Sequence, residues 1–385
     1  MSRKDLVTGL DAKAVDKRSK YIVSLEHVSF RDFPLKAAEL LSDLGIPAHD
    51  AKVLKNIQMM VVSVPDNSHS KRMLFRRDDL LVEEDRSISI AAPPPGKGPN
   101  KNDPDGGGGG SSSSQFEVWN NSINPRLSLP NEDGTKWNTS NNSGRIFILD
   151  TGISSNTDDL NIDETLSIDF TGSKRRVGWR DQNGHGTHVA GTAAAINDND
   201  GIAGIAAGAT VVSVKVLDRR GSGSISGVLE GVNHVAANAK PGDVANLSLG
   251  GGVSTLLDSA VRTAAEQTGA LFALAAGNDA DLADKTSPAR SGDPGLGIFT
   301  IAAHNQNLER AYFSNYGQPV SHSAPGVDIT SLGIDGSLVT WNGTSMASPA
   351  AAGHLFMTGN LQGSQLISHP DGRDMPSIQI TDFIA

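Results

Sequence analysis

Residues 341–349 read Trp341-Asn342-Gly343-Thr344-Ser345-Met346-Ala347-Ser348-Pro349, and Ala350, Ala351, Ala352 and Gly353 follow. A serine heading such a run of small residues predicts a hydroxyl at the start of a helix packed deep in a core. The N-terminal N–H groups and dipole of that helix favour negative charge developing beside the serine. A serine hydroxyl is a weak nucleophile unless a base stands within hydrogen-bond reach and a third group orients the base. The chain supplies candidates for both upstream. Ile146-Phe147-Ile148-Leu149-Asp150 is an apolar run into a carboxylate. It predicts a buried parallel strand with an acid at its carboxyl end, where reaction sites of open α/β sheets gather. Asn183-Gly184-His185-Gly186-Thr187-His188 puts a glycine-flanked histidine at the entry to a second small-residue helix. Leu271 to Ala276 predicts an apolar strand that delivers the amide of Asn278. The chain order is therefore Asp150, His185, Asn278, Ser345.

These four ordered segments together resemble the subtilase family of serine peptidases, over about Gln115 to Gly353. The resemblance implies an α/β fold with a doubly wound, mostly parallel sheet flanked by helices. It also implies a serine endopeptidase acting on polypeptide substrates. On that basis Ser345 is the nucleophile, His185 the general base, and Asp150 the group that holds the imidazole in its working tautomer. The Asn278 amide and the Ser345 N–H are the oxyanion donors. His188 is expected to be structural. Gly221-Ser222-Gly223 and Ser248-Leu249-Gly250 match the family's substrate edges, where lack of side-chain bulk lets an extended peptide pair as an added strand. Leu217, Ile225, Val228 and Leu249 are implied to line an apolar pocket for the side chain four residues before the cut. A structural Ca²⁺ site is implied at Gln115, Asp159, Ile196, Asp198, Asp200 and Ile202, whose hard oxygens suit that ion; a solvated polar loop is the alternative. A second family calcium site is expected to be absent, because Ser321 stands where an Asp usually does. Two further departures are Ala350 in place of a usual His, and a stretch of only 40 residues after Ser345. The latter implies that the last packing helices are missing or replaced.

From its beginning, the 385-residue chain has room for a small domain and a large one. Residues 1–20 read as a charged tail. Residues 21–91 predict a small α+β domain: strands at Tyr21–Leu25 and Met59–Val64, helices at Phe33–Leu44 and Ser68–Leu80, and a closing strand from Leu81. This β-α-β-β-α-β-like order resembles the inhibitor-type propeptide of many subtilases, which implies an intramolecular inhibitor and a self-processing zymogen. Residues 92–114, with five consecutive glycines and four serines, read as a disordered linker. Residues 115–385 form the catalytic domain, with strands at Val211–Leu217, Val244–Ser248 and Ile298–Ala303 and helices at Ser226–Ala237 and Ser254–Thr268. First cleavage is expected at Ala91–Ala92, with a cut near Ser114–Gln115 as the competing expectation. A net charge of −10 argues against nucleic acid or anionic membrane as main partner. No run is long enough to span a bilayer, and residues 1–20 lack the apolar core of a signal peptide. A cytoplasmic monomer, or a secreted one if a leader precedes this sequence, fits these features. The absence of cysteine rules out disulfides without fixing the compartment. A non-catalytic peptide-binding protein and a permanently self-inhibited zymogen remain the alternatives.

Overall fold

The computed structural model describes residues 17–66, 68–90, 143–173, 177–197, 202–361, 363 and 365–378. By backbone contacts the chain divides into two compact units, Met1–Val53 with Met59–Asp85, and Leu54–Gln58 with Arg86–Ala385.

In the first unit, β1 (Arg18–Leu25), β2 (Ala51–Leu54), β3 (Met59–Pro65) and β4 (Leu80–Glu84) form a sheet in the order β2-β3-β1-β4. β1 is antiparallel to both of its neighbours. Helix α1 (Phe33–Asp43) has Pro34 in its first turn, where a missing N–H costs nothing. It buries Phe33, Ala37, Leu40 and Leu41 against Tyr21, Val23, Met60, Val62 and Val64 of the sheet. Helix α2 (His69–Leu74) starts as expected, with Ser68 Oγ capping Lys71 N, but stops six residues short of the predicted Leu80. The Arg77–Asp79 turn intervenes, because Leu80 is needed opposite Leu25 to begin β4.

The second unit carries the large sheet. Its strands, among the described residues, run β19 (Gln365–Ser368), β20 (Asp374–Ser377), β16 (Val320–Pro325), β15 (Ile298–His304), β13 (Leu271–Ala275), β11 (Val244–Leu247), β6 (Arg145–Asp150), β9 (Thr210–Lys215) and β7 (Asn161–Ile162). A short β8 (Ile168–Asp169) also pairs with β9. All described pairings are parallel except β19 with β20. Parallel strands are covered on both faces, which is why β6, β11 and β15 read as nearly unbroken apolar runs. The described helices are α3 (His185–Ala194), α4 (Ile225–Asn238), α5 (Thr255–Thr268) and α6 (Thr344–Thr358). Helix α5 shows how locally consistent the sequence is: Ser254 caps its start, Leu257, Ala260, Val261 and Ala264 form its buried stripe, and Gly269 takes the left-handed conformation that ends it. Each fully buried Leu or Val there contributes roughly 1.5–3 kcal/mol. The packing expected beyond α6 is partly supplied by strands instead of helices, since residues 365–377 form a hairpin that joins the sheet at β16.

Strand β6 is flanked by β9, which follows it, and by β11, which comes after a crossover to the other side. The carboxyl ends of β6, β11 and β13 therefore meet where strand order reverses, the place where open α/β sheets leave a crevice. Those ends carry Asp150, Ser248 and the approach to Asn278.

Candidate active site

Asp150 ends β6 and is fully buried. His185 opens α3 from Gly184, and its Nδ1 lies 2.8 Å from Asp150 Oδ1 and 3.0 Å from Oδ2. The two segments pack so closely that a Cβ at Gly186 would collide with the carbonyl oxygen of Gly152. This explains the glycine after His185. Ser345 sits in the first turn of α6, and its Oγ donates to Ser248 O at 3.3 Å. The Asn278 Oδ1 accepts from Thr344 N and Thr344 Oγ1, both at 2.9 Å. With Oδ1 so engaged, the amide nitrogen is the end left to face the serine side of the cleft. Gly343, at φ +154°, shows where that end points. A Cβ there would lie 3.4 Å from Asn278 Nδ2 and 3.5 Å from Ser345 N. Asp150, His185, Asn278 and Ser345 are exposed by only 0, 6, 2 and 1% respectively. Water is thus largely excluded, and fixed dipoles act there at low effective dielectric.

The helix that carries Ser345 is held by a buried polar chain through Asn246, Ser248 and Ser348. Asn246 Nδ2 donates to Ser248 Oγ, Ser248 Oγ donates to Ser345 O, and Ser348 Oγ donates to Asn246 Oδ1. Asn315 braces the strand end at Asn278: its Nδ2 donates to Ala276 O and its Oδ1 accepts from Asp279 N and Asp281 N. Asn246 stands alone within an apolar strand run, which is the sequence signal it offers. His188 is buried, donates from Nε2 to Ile329 O, and stacks on Trp341 with ring centres 4.7 Å apart. Burial, with His185 beside it, pushes His188 down to about 3, so it is neutral at ordinary pH.

The two glycine-rich segments become strands β10 (Ser222–Ser224) and β12 (Leu249–Gly252), and between them runs β5 (Ser87–Ile90). β5 is antiparallel to both, with Ile88 opposite Gly223, Ser89 opposite Ser222 and Gly250, and Ile90 opposite Leu249. Ile90 N donates to Gly221 O and Ile225 N to Arg86 O, each at 2.9 Å. Ile88 is buried, as are Leu217, Ile225, Val228 and Leu249. Ala91 and Ala92, where first cleavage is expected, lie outside the described residues, as do 92–114 and the competing site at Ser114–Gln115.

Of the calcium ligands implied by the sequence, Gln115, Asp198 and Asp200 also lie outside the described residues. Asp159, Ile196 and Ile202 are described, and Ile196 N donates to Asp159 O at 3.0 Å, which brings the loop's start to the Asp159 segment. Among the described residues no group of three or more His, Cys, Asp or Glu side chains converges on a metal position. Likewise, no described helix is long and apolar enough to cross a membrane.

Comparison with known families decides the relationship. Residues 141–358, more than half of the chain, match the family described as the Subtilase family of peptidases. The chain belongs to the subtilase family. Among its relatives, this subtilase is 39% identical over 236 residues to alkaline serine exoprotease A of Vibrio alginolyticus, covering 61% of this chain and 42% of that protein. It is 42% identical over 213 residues to a thermostable alkaline protease of Halalkalibacterium halodurans, covering 55% of each. It is 38% identical over 211 residues to subtilisin NAT of Bacillus subtilis subsp. natto, covering 54% and 53%. The chain thus spans about half the length of the curated relatives it matches. A crystal structure of a cold-adapted subtilisin-like serine proteinase superposes with a TM-score of 0.54 at 34% identity, over 66% of this chain and 95% of that one. The fold is therefore subtilisin-like. Ala350, the departure from the usual His, lines a small pocket with Gly191, Thr192, Ile202, Ile205 and Pro325.

Proposed function

We propose that this subtilase is a serine endopeptidase using Asp150, His185 and Ser345, with Asn278 and the Ser345 N–H as oxyanion donors. The observation that carries the reading is the buried His185 Nδ1 held against both oxygens of Asp150. That contact orients the ring and stabilises its cationic form. Ser345 Oγ attacks the scissile carbonyl carbon while its proton passes to His185. The C–N bond then breaks as His185 returns the proton to the leaving amine, and water repeats the sequence on the acyl-enzyme. Ser345→Ala is expected to abolish peptide hydrolysis and covalent labelling by a fluorophosphonate, apart from a residual rate from the remaining donors. Near-wild-type turnover in that variant refutes the assignment.

A self-inhibited zymogen is favoured as the state of the full chain by one observation: β5 occupies the two edges proposed for substrate. Its register supports a cut after Ala91, with Ile88 four residues upstream at the proposed apolar pocket. In this reading residues 21–91 are the inhibitor-like propeptide, 92–114 the linker and 115–385 the catalytic domain. Purified chain is expected to shorten itself, and a first product starting at Gln115 with none starting at Ala92 refutes the position. For calcium, the Asp159 carboxylate and the backbone carbonyls of Ile196 and Ile202 are hard oxygen donors of the right kind. With Gln115, Asp198 and Asp200 they would hold the ion, which when bound cross-links the loop to the domain.

A further inference from the structure

A second carboxylate lies beneath the Asp150–His185 pair. Asp181, only 8% exposed, accepts four hydrogen bonds. Thr151 Oγ1 (3.0 Å) and Asn183 N (2.8 Å) donate to its Oδ1, and Thr187 N (3.1 Å) and Thr187 Oγ1 (2.7 Å) donate to its Oδ2. These donors sit where the two reacting side chains are mounted. Thr151 follows Asp150, and Asn183 and Thr187 stand on either side of His185. The same donors close the frame, because Gly186 N donates to Thr151 Oγ1 at 2.9 Å and His185 N to Asn183 Oδ1 at 3.2 Å. One anion thus fixes both mounts, and hydrogen bonds to an ionised acceptor are about twice as strong as neutral ones. A buried charge needs an offsetting one. Lys215, at the end of β9 and 1% exposed, donates from Nζ to Thr151 O.

We propose that Asp181 is a positioning residue: it holds His185 against Asp150, and the Lys215 ammonium, tied to the Thr151 carbonyl, offsets the second negative charge, so that Asp150 alone governs the base. The proposal rests on the assignment of Asp150 and His185 made above. Among the described residues, the charged groups that act on Lys215 are four carboxylates. Asp150 comes from β6, Asp181 from the loop before α3, Lys215 from β9, Asp169 from β8 and Asp218 from the turn after β9, with His188 one turn along α3 and uncharged. Burial lowers the Lys215 ammonium from its ordinary range, and Asp181 is the strongest of the carboxylates that pull the other way, ahead of Asp169, Asp150 and Asp218.

The test uses the purified chain after it has shortened itself, with fluorophosphonate titration counting competent sites, and follows kcat and KM for a chromogenic peptide against pH. Asp181→Asn removes a negative charge and the acceptor for Thr187. It is expected to lower kcat about tenfold or more with KM nearly unchanged, and to move the acid limb of kcat/KM roughly half a pH unit or more to lower pH. Lys215→Met leaves Asp181 without its offset and moves the same limb to higher pH. The double variant returns the limb close to wild type. Thr187→Val, which removes a donor but no charge, lowers kcat and leaves the limb in place. A merely structural role would reduce the number of titratable sites without opposite movements of the limb. If Lys215→Met does not fold, Asp181→Asn decides alone: an acid limb at its wild-type position overturns the proposal. Ser345→Ala separates the two failures, since an active Ser345→Ala overturns the assignment of the triad, whereas an inactive one with an unmoved Asp181→Asn limb overturns only the positioning role of Asp181.

Discussion

Mild acid is expected to destabilise the second unit through its buried histidines. Four histidines are held neutral by burial: His188 is pushed down to about 3, and His304, His322 and His369 to about 4. His234 moves in the same direction for the same reason. In each case the folded value lies below the unfolded value of about 6.5, so below pH 6.5 the unfolded chain binds protons that the folded one refuses. Stability is therefore complete above that pH and is lost as pH falls toward 4, and toward 3 for His188. At pH 5 the loss is about 2 kcal/mol per histidine. This figure depends mainly on the unfolded value, because a folded site at 4 or lower is almost unprotonated at pH 5. The four together reach several kcal/mol, comparable with the roughly 5–15 kcal/mol stability of a typical domain. The assay is urea unfolding of the Ser345→Ala chain, which removes self-digestion, at pH 7.5 and pH 5. His304 donates from Nδ1 to Asn305 O and meets Ser377 Oγ at Nε2, so His304→Asn retains polar partners while deleting one titration. That variant should lose about 2 kcal/mol less than its parent between the two pH values. Equal midpoints for the parent at pH 7.5 and 5 would show that these imidazoles are not held neutral and would refute the reasoning.

Other outcomes follow from the site. Asn278→Leu, which keeps the volume and deletes the amide, is expected to lower kcat by about 10²–10³ with KM little changed, as loss of one oxyanion donor does in subtilisin. Steady-state kinetics on one peptide substrate reads it. Asn246→Ala unties Ser348 from Ser248, so it should lower kcat and reduce stability by about 1–3 kcal/mol, because buried partners lose their hydrogen bonds; chemical denaturation alongside kinetics checks both. Ile88→Asp would bury an unpaired charge opposite Gly223, slowing the first cleavage of the chain in a time course followed by mass spectrometry. Saturating calcium should raise the melting temperature, since a ligand that binds only the folded state stabilises it, and the rise should vanish in Asp159→Ala/Asp198→Ala. An identical melting curve in EGTA speaks against a calcium site.

Much of this was legible in one dimension because local and global preferences agree. The apolar run into Asp150, the Ser254 cap and Gly269 stop of α5, and the proline-started α1 each carry their own physical signal, and all three elements form within a residue or two of their predicted ends. The failure at α2 is equally physical: its pattern continues past Leu74, but strand pairing of Leu80 with Leu25 outweighs the few tenths of a kcal/mol per residue that helix propensity supplies. The hairpin at residues 365–377 had no clear alternating pattern, and its place beside β16 is a sheet-edge pairing that no local signal encodes. Around the site, residue type and order pointed to Asp150, His185, Asn278 and Ser345, because few residues can do those jobs. What holds them was hidden. Asp181, Lys215, Asn246 and Asn315 act through hydrogen bonds between segments tens of residues apart in the chain. Such partners are chosen by distance and direction after the strands have paired, so only the tertiary structure brings the second carboxylate and its lysine beneath the first.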